Sequence, residues 1–283
     1  MVIDHAAFRT TSRERWETAA PGWEARRADL QRAADPVSRW MVEAIDPQPG
    51  QAVLELAAGV GDTGFLAAER LRPGGRLICT DGAEPMLEAA RRRSAELGLD
   101  NVEFEAMEAE WIDSATASLD AVLCRWGYML LADPEAALRE TRRVLRSGGR
   151  LALAVWDGPE HNPWVAHTHA ELLDRDLTAP PEPGEPGMFA LAADGVIAEL
   201  LYTAGFEDVR VDAVDLTFAA ASFDDWFEYQ FDTSPSLASA LARATPEQRD
   251  EVHEGVQARL SPFRAADGSL ALPGRTLVAA ASA

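Results

Sequence analysis

Apolar residues gather in short runs along the first half of the chain, and each run gives way to a turn and then to helix-like spacing. Val53-Leu54-Glu55-Leu56 leads into Ala57-Ala58-Gly59-Val60-Gly61-Asp62-Thr63-Gly64, the pattern of a buried strand passing through a glycine-rich turn into a helix. Gly75 to Asp81 is a second short apolar run, and it ends in an acid. Pro85 then opens a helix that Gly98 closes, because proline suits the first helical turn and glycine the residue beyond the last. Val102-Glu103-Phe104 reads as a third strand and Leu119 to Trp126 as a fourth. Asp133 is placed to cap a helix whose apolar positions Ala137, Leu138, Val144 and Leu145 recur at helical spacing until Gly148 stops it, and a strand through Trp156 follows.

The flanking regions carry different patterns. Residues 1–46 read as helical, with Trp16, Trp23 and Trp40 at intervals. After Trp156, the segment 157–193 holds His161, His167 and His169 and then Ala179 to Gly187, too rich in proline and glycine for helix or central strand, which is expected to be a mobile lid. Asp194 is expected to cap a helix ending at Gly205, and Val209 and Val211 alternate within a sixth strand spanning Phe206 to Phe218. Residues 222–262 predict further helices, with Trp226, Phe227 and Phe231 on one apolar face. No internal repeat is visible.

Composition narrows the class without naming it. A chain of 283 residues with 47% hydrophobic content can bury a full core as one large domain or as a core with a cap. No run of 18 apolar residues occurs, and the start of the chain lacks the basic and apolar regions of a signal peptide, so the expectation is a cytoplasmic protein with no membrane span. Cys79 and Cys124 fall on separate predicted strands and do not suggest a disulfide framework. The formal charge of -21 disfavours a nucleic-acid partner, and the one basic cluster, Arg91-Arg92-Arg93, reads as a solvated helix face.

Candidate chemistry concentrates at the first turn. Gly59, Gly61 and Gly64 satisfy G-x-G-x-x-G, and Asp81 follows about 20 residues on, as a dinucleotide site requires. A pyrophosphate would sit on the N-terminus of the next helix, where free N–H groups favour anions. This chain puts Asp62 there and Glu55 in the strand before it. Two acids suit a cofactor with a positive charge and no phosphate, and S-adenosylmethionine, with its ammonium and sulfonium, meets that description better than NAD.

The run from Glu55 to Thr63 resembles motif I of class I S-adenosylmethionine-dependent methyltransferases, in the version found in the ubiquinone and menaquinone C-methyltransferase group. The tract from Asp133 to Trp156 resembles a second signature of that family, and the likeness covers residues 50–156. It implies an α/β fold: a Rossmann-like, doubly wound seven-stranded sheet with an antiparallel last strand, here Arg275 to Ala281, inserted between strands five and six. The resemblance further implies a cofactor site made by Glu55, Ala57, Gly59, Gly61, Asp62, Asp81, Gly82, Met86, Glu108, Ala109, Cys124 and Arg125. Within it Asp81 would bond the ribose hydroxyls and Met86 would lie near the adenine. Glu108, or alternatively Glu110, would take the adenine amino group beside the Ala109 backbone N–H. The Cys124 carbonyl would accept from the cofactor ammonium. Ala57 departs from the family's usual glycine, which alanine can replace only with ordinary dihedrals, so a slightly tighter loop is expected.

The domain expectation is a helical leader, 1–46, over the cofactor site, and a methyltransferase domain, 47–283, with cap insertions at about 157–193 and 220–268. Methyl transfer is an in-line displacement that needs alignment and exclusion of water more than it needs a base. If a base acts, His161 after strand five and then Tyr128 after strand four have suitable addresses. Arg125 either binds a substrate oxyanion or pairs with Glu55 or Asp133, the ion pair being preferred. His161, His167, His169 and Glu171 lack metal-site spacing, so no metal is expected. The expected activity is methylation of an apolar, aromatic or quinonoid small molecule. An NAD-dependent oxidoreductase and a non-catalytic S-adenosylmethionine-binding protein are the alternatives.

Overall fold

The computed structural model describes residues 4–182 and 184–283. Two helices lead, α1 (His5–Ala25) and α2 (Arg27–Ile45). The Asp4 carboxylate caps α1 by accepting from the Ala6 and Ala7 N–H groups, and α2 buries Leu30, Ala33, Ala34, Val37, Met41, Val42 and Ile45 along one stripe. An alternation of strand and helix follows: β1 (Ala52–Glu55), α3 (Asp62–Leu71), β2 (Arg76–Asp81), α4 (Glu84–Glu96), β3 (Val102–Ala106), β4 (Leu119–Arg125), α5 (Pro134–Val144), β5 (Leu145–Trp156) and α6 (Pro163–Asp174). The chain continues through α7 (Val196–Thr203), β6 (Glu207–Ala220), α8 (Phe223–Thr233), α9 (Pro235–Arg243) and α10 (Pro246–Leu260) to β7 (Leu270–Ser282).

The seven strands form one sheet in the order β3-β2-β1-β4-β5-β7-β6. The first five are parallel, and β7 runs antiparallel to both β5 and β6. This is the doubly wound, Rossmann-like sheet, and its order reverses beside β1, where ligands bind outside the carboxyl ends of the strands. The central strands explain their own composition: Val53, Leu54 and Ala121 to Cys124 are buried on both faces, which favours continuous apolar runs over alternation. The leader is tied across the top of the sheet. Trp23 donates to the Thr233 carbonyl (2.8 Å), and Arg26 bonds Asp232 (2.8 Å) and Asp225 (3.0 Å) of α8.

Three local expectations are corrected. Gly148 does not end α5, which stops at Val144; Leu145 already pairs with Leu119, and Gly148 (φ +74°) turns the chain inside the lead of β5. Asp194 makes no cap, because Gly195 (φ +80°) occupies that position of α7. On α8 the buried face is Phe223, Trp226, Tyr229 and Gln230, and helical spacing turns Phe231 outward to 47% exposure. In the segment expected as a lid, Pro183 lies outside the described residues, its neighbours form neither helix nor strand, and the Gly187 N–H donates to the Met129 carbonyl (2.9 Å).

Candidate functional site

The turn after β1 folds back on itself through three left-handed residues, Ala57 (φ +50°), Gly59 (φ +55°) and Gly61 (φ +92°). The expectation of ordinary dihedrals at Ala57 is therefore wrong: alanine carries the left-handed conformation that glycine would take without a Cβ penalty, a strain of about 1–2 kcal/mol. Beneath the turn, Glu55 is buried and its Oε1 accepts from the Gly64 N–H (2.9 Å). A methyl group at Gly64 would collide with Glu55 Oε2, which is why the third glycine of the motif is required here. Burial pushes the Glu55 carboxyl up to about 8, against the pull of the Gly64 N–H and Arg125. Asp62 is buried too, and its Oδ1 lies 3.7 Å from Arg27 of α2. Neither acid lines the pocket above the turn, so the charge contrast drawn from them is not the one that the pocket presents.

Asp81 is the hinge of that pocket. Its Oδ2 accepts from Gly59 N–H (2.8 Å) and its Oδ1 from Ala83 N–H (2.9 Å), so one side chain fixes both the glycine turn and the head of α4. Each oxygen keeps a further lone pair for a ligand hydroxyl. Burial pushes this carboxyl upward, and the two amides oppose the shift. Gly82 and Met86 line the same end; a Cβ on Gly82 would come 3.4 Å from the Glu108 carboxylate, so glycine leaves that passage open. Glu108 and Glu110 complete the wall, while Ala109 between them is buried and stays out of it. Glu110 is buried with neither oxygen hydrogen-bonded, and the desolvation pushes its carboxyl up.

The leader supplies the cover, which sequence reasoning placed only in outline. Phe8, Arg9, Ser12, Arg13, Trp16 and Trp23 line the pocket from α1. Arg9 stands 3.8 Å from Glu110, and Arg13 stands 3.5 Å from Glu108. A signal existed: positions 9, 12, 13, 16 and 23 share one helical face, but nothing local names partners some hundred residues away.

The other wall comes from the end of β4. Arg125, Trp126, Gly127, Leu130, Leu131 and Ala132 line it, and Trp126 sits at φ +61°. A Cβ on Gly127 would meet Cys124 Sγ at 2.6 Å and Ala57 Cβ at 2.7 Å, so the turns after β1 and β4 touch across this glycine. Arg125 does not form the expected ion pair with Glu55 or Asp133. Its Nε donates to Thr63 Oγ1 (2.8 Å), its guanidinium lies 4.4 Å over the Trp126 ring, and Asp133 instead caps α5 through the Ala136 N–H. Trp126 in turn stacks on Trp156 (4.2 Å) and donates to Thr276 (3.1 Å), which fixes the wall to the sheet.

Two candidates, the proposed bases, fall away from the pocket. Tyr128 is buried with its hydroxyl bonded to Thr141 (2.6 Å), because the turn after Gly127 points it into the core beneath α5, and burial raises its pKa well above the ordinary value. His161 is 41% exposed and lies 3.8 Å from both Asp157 and Glu160, outside the pocket wall. The Cys124 side chain is buried behind the wall, and burial pushes its thiol up to about 12. No described residue of 157–193 lines the pocket, so the segment expected as a lid does not cover it. Glu171 belongs to an ion-pair network with Arg175 and Arg259.

The methyltransferase domain family matches residues 47–180. Nocamycin O-methyltransferase of Saccharothrix syringae is 32% identical over 199 residues, which are 66% of this chain and 70% of that protein. The chain belongs to the S-adenosylmethionine-dependent methyltransferases. Demethylmenaquinone methyltransferase of Thermus thermophilus is 36% identical to this methyltransferase over 124 residues, 43% of this chain and 56% of the relative. Among solved structures, the YcgJ protein of Bacillus subtilis shares the fold at a TM-score of 0.57 and 20% identity, covering 87% of this chain and 97% of its own.

The methyltransferase's own residues fit its cofactor. An adenosyl group brings hydroxyl and amino donors, and the pocket offers them the free lone pairs of Asp81 and the two unpartnered oxygens of Glu110, with apolar contact from Met86. S-adenosylmethionine supplies an activated methyl group on a cationic sulfur.

Proposed function

We propose that this enzyme transfers the methyl group to an apolar, aromatic or quinonoid small molecule. The observation that carries the reading is the continuity of one pocket, whose wall joins the carboxylates Asp81, Glu108 and Glu110 to the apolar side chains of Trp16, Trp23, Trp126, Leu130 and Leu131. Trp16 and Trp23 meet edge to face at 5.4 Å and pack against Val60, Ala83 and Met86. Two of the relatives are named for methylating nocamycin and demethylmenaquinone, which are small molecules. In our reading Asp81 holds the ribose hydroxyls and Glu110, buried with neither oxygen hydrogen-bonded, takes the adenine amino group in preference to Glu108, which is half-buried beside Arg13. The leader, 1–46, acts as the cover that excludes water from the 47–283 domain's pocket, and orientation with exclusion of water supplies the catalysis. Among the described residues no helix is long and apolar enough to cross a membrane, and we infer a cytoplasmic enzyme.

Calorimetric titration with S-adenosylmethionine, S-adenosylhomocysteine and NAD is the first test, followed by turnover over a panel of phenols, quinols and hydroxyquinones. Binding of both adenosyl ligands without NAD, and methylation of at least one aromatic acceptor, is expected. NAD binding alone would overturn the cofactor end of the reading. Adenosyl binding with no turnover across the panel would favour a cofactor-binding protein without catalysis.

A further inference from the structure

Arg125 is the one cation of the pocket wall, among the described residues, that is held in place without a carboxylate within 4.0 Å. Its Nε is fixed by Thr63 Oγ1, which also shares a hydrogen bond with Ser38 Oγ (2.9 Å), and its plane is fixed over Trp126. Its Nη1 is buried with no partner. A guanidinium N–H left unpaired away from water is costly unless a ligand brings the acceptor. Topology then separates the two ends of the pocket. Asp81 ends β2, and Glu108 and Glu110 follow β3, on one side of β1, while Arg125 ends β4 on the other. With Tyr128 and His161 outside the pocket, the described residues that line it from the end of β4, Arg125 to Ala132, include no carboxylate, histidine or lysine that could remove a proton.

We propose that the Arg125 guanidinium is the receptor for an anionic oxygen of the acceptor, an ionised hydroxyl or carboxyl on the aromatic or quinonoid ring system, and that the enzyme selects acceptors acidic enough to arrive deprotonated. The inference rests on the aromatic or quinonoid reading above. The acceptor's oxygen anion, or the enolate carbon conjugated to it, forms a bond to the methyl carbon while the sulfur–methyl bond breaks. The electron pair of that bond stays on sulfur. At oxygen no proton has to move, and methylation cancels the acceptor's charge, which loosens its hold on Arg125 and favours release; at carbon the hydrogen of the attacked carbon leaves to solvent after the transfer, to restore the conjugated ring.

The test uses the full chain saturated with S-adenosylhomocysteine and two probes of similar shape: 2-hydroxy-1,4-naphthoquinone, an anion at neutral pH, and 2-methyl-1,4-naphthoquinone, which is neutral. The native enzyme should prefer the anion by at least about tenfold, the scale of one charge-assisted hydrogen bond. Arg125→Gln should abolish the preference while leaving affinity for S-adenosylhomocysteine and for the neutral quinone unchanged. Arg125→Lys should retain part of it, as a point charge without the planar fork. A preference that survives Arg125→Gln overturns the proposal, and so does a loss of S-adenosylhomocysteine affinity in that variant, which would give the arginine to the cofactor carboxylate. Equal binding of both quinones overturns the role of Arg125 but leaves the aromatic reading standing. Binding of neither, in protein that still takes S-adenosylhomocysteine, overturns the aromatic reading itself.

Discussion

Glu55→Gln isolates the consequence of burying an acid beneath the glycine turn. The carboxyl rises from an ordinary 4.5 to about 8 in the folded chain, so at neutral pH the native state holds a proton there that the unfolded chain releases. The sign follows from linkage: between these two values the folded state binds more protons than the unfolded state, and stability falls as pH rises. The loss is about 1.4 kcal/mol per pH unit. Across the interval it approaches about 4 kcal/mol, and it levels off above the folded value. Glutamine mimics the protonated acid in shape, and its amide oxygen can still accept from the Gly64 N–H. Urea unfolding of both proteins at intervals from pH 5 to pH 8.5 should show similar stability at the acid end and a widening advantage for Glu55→Gln toward the alkaline end. A difference that does not change with pH, or one that shrinks as pH rises, would mean that Glu55 is ionised in the fold and would refute the burial argument. A cationic cofactor nearby pulls the carboxyl down, so binding at pH 7 should release protons. Calorimetry in buffers of different ionisation enthalpy would then give different apparent heats.

Three further outcomes can be measured directly. Asp81→Ala should weaken S-adenosylmethionine binding by about 1.5–3 kcal/mol through lost charge-assisted bonds, and thermal unfolding should also register the loss, because the Gly59 and Ala83 amides give up their acceptor. Gly127→Ala forces a methyl group between Cys124 Sγ and Ala57 Cβ and should cost about 1–3 kcal/mol in urea unfolding, with partial recovery in the Ala57→Gly double variant, since that change removes one of the two collisions. Tyr128→Phe should lose about 1 kcal/mol of stability with its bond to Thr141, and steady-state kinetics should find its kcat, like that of His161→Ala, unchanged because both side chains lie outside the pocket.

What the chain's own pattern determined was whatever depends on near neighbours. The strand, glycine turn and helix from Val53 to Gly64 follow from a buried apolar run and from backbone conformations that glycine favours, and Asp81 was legible as the strand-ending acid about 20 residues beyond that turn, its role coming from the resemblance. The seven-stranded order came from the resemblance carried by those motifs, since spacing within one strand does not name its neighbours. Tertiary structure alone decided protonation and address. Glu55 and Asp62 read as two negative charges in the sequence, but burial leaves the first largely neutral, and Arg27 of α2 stands beside the second. Tyr128 and His161 follow strand ends that point at the pocket, and the turns after them send one into the core and the other into solvent. Arg9 and Arg13 had no role in the sequence reading, because Glu110 and Glu108 become their neighbours only when α1 closes over the sheet. Dihedrals and apolar runs are local properties, while desolvation and the direction in which a side chain faces depend on what the rest of the fold packs against it.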